Sequence, residues 1–114
     1  MESWSLPKHP MEYEVEYLDD ASDVLIAMPT WLQEVTRRHL KELAKSPFDD
    51  EETTKLPDEG GFSRRSGFSH GPVEGTVHHV YVYYDALPAQ QVVLVWGIWH
   101  QKEDAENPGY WDLH

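Results

Sequence analysis

The chain contains no cysteine. That excludes a disulfide framework, a thiolate metal site and a cysteine nucleophile. No apolar run approaches the roughly 20 residues a membrane span needs. The amino terminus, MESWSLPKHP, lacks the charged-then-apolar layout of a secretory signal. A cytoplasmic protein with no membrane association is the expectation. Positive charge is scarce. Nine Lys and Arg stand against 21 Asp and Glu, giving a formal net charge of −12. Such a chain is repelled by phosphate backbones unless its few cations gather in one place, so DNA is not an expected partner. What remains is ordinary globular composition. The 114 residues suit a single domain, 1–114, with one modest core.

The richest sheet-forming stretch runs from His78 to His100. Two runs of β-branched and aromatic residues flank a break at Asp85-Ala86-Leu87-Pro88-Ala89-Gln90. Those residue types suit a pleated surface, and Asp and Pro suit a turn, so a β-hairpin is predicted. Its second strand is apolar on both faces. Val92, Leu94, Trp96 and Ile98 alternate with Val93, Val95, Gly97 and Trp99, the pattern of a central strand covered on both sides. On this reading Trp96 belongs to the core. Histidines stand where the first strand begins, at His78 and His79, and where the second ends, at His100. In an antiparallel pair those two ends meet.

The rest of the chain reads in order. Residues 1–11 form a loose arm. Tyr13, Val15 and Tyr17 alternate as one face of a half-buried strand. Ala21 to Met28 is a short helix stopped by Pro29. A second helix starts at Thr30, with Gln33 placed for a capping box, and runs to about Lys45. Leu32, Val35, His39, Leu40 and Leu43 make its apolar stripe. The acidic run at 49–52 reads as a solvated loop, and Thr53 to Pro57 as a frayed strand. A short strand lies between glycines at 60–67, and Phe68 to Gly75 reads as a loop. The core spans 12–102, with 103–114 an acidic tail. Strand, helix, helix and three strands make an α+β domain: one antiparallel sheet packed on one side by a helical hairpin.

That order resembles the RelE/ParE toxin superfamily of toxin–antitoxin systems. The phage-derived, HigB-like branch is most similar. Its Arg-x-Gly strand, its Arg-led strand ending in aromatics and Asp, and its apolar strand closing on a basic pair have three counterparts. These are Arg65-Ser66-Gly67, His79-Val80-Tyr81-Val82-Tyr83-Tyr84-Asp85, and Val92 to Gln101. The resemblance implies a fold and an activity, messenger RNA cleavage at the ribosome. It also implies a cognate antitoxin as partner, and no cofactor. The family's leading arginine falls on His79, or on His78 with a one-residue slip. Its closing basic pair falls on His100 and Gln101, with Lys102 adjacent.

Cleavage by such a fold needs a base for the 2′-hydroxyl, cations for the phosphate and an acid for the leaving oxygen. Arg65 and Lys102 can supply charge, and His79 and His100 can trade protons. Arg64 and Trp99 are the candidate RNA contacts, Trp99 by stacking. The bland alternative is that the histidines merely begin and end strands. A zinc site from His70, His78 or His79 and His100 is disfavoured, because no histidine pair has i, i+2 or i, i+4 spacing. The scarcity of cations argues that nuclease activity is weakened or lost. A non-catalytic protein-binding module on the same fold is the rival reading. The two differ in whether Arg64, Arg65 and Lys102 make one positive island.

Overall fold

The segments with the strongest sheet preference, Val77 to Tyr84 and Val92 to Val95, lie at the centre of a six-stranded sheet. The computed structural model describes residues 12–49, 53–57, 61–106 and 111–113. The elements are β1 (Glu14–Tyr17), α1 (Asp19–Ala27), α2 (Thr30–Leu43), β2 (Thr54–Lys55), β3 (Ser63–Val73), β4 (Thr76–Leu87), β5 (Val92–Asp104) and β6 (Trp111–Leu113). Strand order is β1-β5-β4-β3-β2, and β6 pairs with the far end of β5. As expected, β5 is interior, with β4 on one side and first β1, then β6, on the other. The predicted loose arm, residues 1–11, lies outside the described residues, as do 50–52 of the acidic run.

One helix-facing layer forms the core. Alternate β4 residues Val80, Val82, Tyr84 and Ala86 are buried with Val93, Val95 and Ile98 of β5. Leu25 of α1 and Leu32, Leu40 and Leu43 of α2 close over them. Tyr13, Val15 and Tyr17 pack at the margin of the core, as their alternation predicted. Thr36 is as buried as the leucines of its helix and makes a contact from its hydroxyl to Met28 Sδ.

Several expectations are corrected. The sheet is not wholly antiparallel: β1 runs parallel to β5, with Glu14 opposite Val92 and Tyr17 opposite Val95. Parallel neighbours need a long crossover, which α1, α2 and the intervening strands provide. Gln33 closes no capping box. Its amide instead donates to the Met28 and Ile26 carbonyls at 2.9 and 3.3 Å, tying α2 to the end of α1. The supposed loop at 68–75 is mostly strand. β3 continues to Val73, and only Glu74 and Gly75 turn the chain. Both have positive φ, 51° and 81°, the geometry of a two-residue hairpin turn of type I′. The hairpin break after β4 is also shorter than predicted, because Asp85, Ala86 and Leu87 all pair with β5. The acidic tail contributes to the sheet, since β5 extends to Asp104 and β6 pairs with it.

The largest correction concerns β5. Tyr83 lies opposite Gly97, but Tyr84 lies opposite Val95, so Trp96 is an inserted bulge residue. Alternation slips there by one. The buried set is Val93 and Val95, then Ile98 and His100, and among the described residues no helix packs on the opposite face. Trp96, expected in the core, is 38% exposed.

Candidate functional site

The predicted site residues divide between the two faces of the sheet. Arg65 on β3, His79 on β4 and Trp99 on β5 stand on the open face. Arg64, His100 and Lys102 stand on the face turned toward the helices. The four residues expected to share the chemistry therefore do not converge on one point. Neither do the three cations form one island.

On the open face, His79 is held from both sides. Ser69 Oγ lies 2.7 Å from His79 Nδ1, and His79 Nε2 lies 3.0 Å from Glu103 Oε1. Register explains the contact: Ser69 is directly opposite His79, and Glu103 is two residues beyond its β5 partner Gln101. The Arg65 guanidinium sits over the Tyr81 ring, 5.4 Å from its centre, a cation–π contact that fixes the charge against the sheet. A cavity of about 290 Å³ opens beside it, lined by Thr54, Arg65, Gly67, Ser69 and Tyr81 among others. Gly67 keeps it open, because a Cβ there would lie 2.6 Å from the Tyr81 ring. Farther along, Trp99 is 46% exposed opposite Tyr81. Trp96 packs on Tyr83 and donates from its indole to Asp85 Oδ1 at 3.1 Å.

The helix-facing site is different in kind. His78 and His100 are 6% and 1% exposed, and His78 Nδ1 lies 3.0 Å from His100 Nε2, the rings stacked. Trp31 of α2 meets His78 edge-on and also touches His70. Lys102 lines a cavity of about 510 Å³ with Trp31, Met28, Glu74 and His78. Among the described residues no three His, Cys, Asp or Glu side chains are placed to hold a metal ion. His39 meets Ser66 Oγ at 2.9 Å and packs on Phe68. Arg64, expected to touch RNA, is buried: its Nη1 donates to Thr53 Oγ1 at 2.9 Å and its guanidinium covers Phe48.

Ser69, Glu103 and Trp31 were not foreseen as site residues. The Glu74-Gly75 turn was a partial signal for Ser69, whereas Glu103 depends on the register between β4 and β5. Counting back from the turn alone would set His70 against His79; an irregularity between His70 and Val73 shifts the register by one, so that His70 faces His78 and Ser69 faces His79. Trp31 had no such signal, because its position depends on how the helix crosses the sheet.

No family model matches the chain, and no curated protein matches it. Among solved structures, it is similar to a double arginine-to-alanine mutant of the E. coli toxin RelE in its free state. The TM-score is 0.58 at 16% identity, over 77% of this chain and 82% of that one. The class is thus an α+β domain, and more narrowly one with the RelE fold. No helix among the described residues is long and apolar enough to cross a membrane.

Proposed function

We propose that this chain is a toxin–antitoxin relative of the HigB-like branch whose ribosome-associated messenger RNA cleavage is weakened or lost. It acts in the cytoplasm, and a cognate antitoxin is its expected partner. One observation carries the reading. The two histidines suited to trade protons stand on opposite faces of the sheet, and the open-face one, His79, bonds Glu103. RNA binding draws on released counterions at cationic contacts, and each missing cation removes part of it. The sheet face that carries Arg65 also carries Asp85, Glu103 and, on β1, Glu14 and Glu16.

The test is expression in a bacterial host, with growth and messenger RNA cleavage followed beside Arg65→Ala and His79→Ala. The expected result is little or no arrest by the native chain. Strong arrest abolished by either substitution would restore the nuclease. The exposed aromatics Phe62, Trp96 and Trp99 favour a second reading, a protein-binding module on the same fold. Loss of partner capture in a Trp99→Ser chain, with growth unaffected throughout, would support it.

A further inference from the structure

We infer that Ser69, His79 and Glu103 form a catalytic triad for ester hydrolysis, with Arg65 selecting substrates that carry an anionic group. This does not depend on RNA cleavage. It rests on a nucleophile, a base and an orienting acid in hydrogen-bonded series beside an open cavity.

Three neighbouring strands supply the three residues on one face. Glu103 accepts the Nε2 proton of His79 at 3.0 Å. That fixes the tautomer: the proton sits on Nε2, and the Nδ1 lone pair faces Ser69 Oγ at 2.7 Å. The histidine and glutamate side chains are 16% and 19% exposed, so water competes little for their contact. The ring is used from its Nδ1 edge, which serves as well as Nε2 provided the other nitrogen is held. Arg65 and Ser69 line the same cavity of about 290 Å³, room for a small acyl chain. The guanidinium, parked on Tyr81, places positive charge on the cavity wall.

The reaction balances without a cofactor. Ser69 Oγ bonds to the ester carbonyl carbon while its proton passes to His79 Nδ1. The carbon–oxygen bond to the alcohol breaks, and the alcohol leaves with that proton. A water then gives a proton to Nδ1 and attacks the acyl-serine. The carboxylic acid departs and Ser69 Oγ recovers its hydrogen.

The test uses the purified full chain, a fluorophosphonate probe mapped by mass spectrometry, and two chromogenic esters of equal acyl length, p-nitrophenyl hemisuccinate and p-nitrophenyl butyrate. The probe should modify Ser69. Ser69→Ala and His79→Gln should lower labelling and hydrolysis at least a hundred-fold, while Ser66→Ala, a serine on the same cavity, keeps the Ser69 adduct. Glu103→Gln can still accept the Nε2 proton and should retain part of the rate that Glu103→Ala loses, which a merely structural role would not produce. Arg65→Met should reduce the hemisuccinate-to-butyrate rate ratio about ten-fold. Circular dichroism establishes that each variant is folded. No adduct on the native chain overturns the triad. So does an adduct or hydrolysis that survives Ser69→Ala.

Discussion

Raising the pH from 9 to 12 should destabilise this domain through Tyr84. Its side chain is 0% exposed, and its hydroxyl donates to the Pro47 carbonyl at 2.6 Å. Burial pushes the phenol up to about 12, against the hydrogen bond with Thr53 and the charge of Arg64, while the charge of Asp49 adds to the rise. In the unfolded chain the same group titrates near 10. Above pH 10 the unfolded state therefore releases a proton that the folded state keeps. Fewer protons bound in the unfolded state means stability falls as pH rises. The contribution is fully present below pH 10 and is lost as pH climbs through about 12. Two units correspond to roughly 3 kcal/mol, a large share of the 5 to 15 kcal/mol that holds a domain together. The thermal midpoint, followed by circular dichroism, should drop by about 10 °C or more across the window. Tyr84→Phe removes the titration and the bond to Pro47. It should cost about 1 to 3 kcal/mol at pH 8 and then fall less steeply. Every other titrating group is shared, so the difference between the two curves isolates Tyr84. Parallel curves between pH 10 and 12 would refute the reasoning.

Two further perturbations test the geometry. Trp96→Ala should cost only about 1 kcal/mol, the worth of its tilted ring contact with Tyr83 and its bond to Asp85, rather than the roughly 3 to 5 kcal/mol of a core tryptophan. A urea midpoint measures it, and a large loss would put Trp96 back in the core. Gly67→Ala forces a methyl group within 2.6 Å of the Tyr81 ring and 3.2 Å of the Val80 carbonyl. Displacing that ring from under Arg65 should cost about 1 to 3 kcal/mol by urea titration.

Long periodic signals were legible before the structure. The leucine stripe of α2, the alternation of β1 and the β-branched runs of β4 and β5 all became the elements they predicted. These signals are local, because each records which side of one element meets the core. Trp96 shows where local reading stops. Strict alternation through β5 assigns it inward, yet one inserted residue moves it out. The adjacent Gly97 was the available sign, since glycine inside a strand often marks a bulge. The His79 contacts failed differently. They depend on register across three strands, and register follows from turns. Reading 68–75 as a loop hid the Glu74-Gly75 turn, and the irregularity between His70 and Val73, which sets Ser69 rather than His70 against His79, has no sign in the turn itself. The parallel placement of β1 is a matter of topology, to which its four-residue strand bears no witness.

The bulge also determines which length changes this protein can absorb. Elsewhere in β5, adding or removing one residue would turn every later side chain to the wrong side. At Trp96 the arithmetic is reversed. Deleting it joins Val95 to Gly97 and leaves Ile98 and His100 inward, Trp99 and Gln101 outward, as they are now. The strand would straighten without changing sides. A lineage carrying this fold can therefore shed or regain that single codon while both sheet faces keep their occupants, whereas the same change three residues later would exchange a buried histidine for a glutamine.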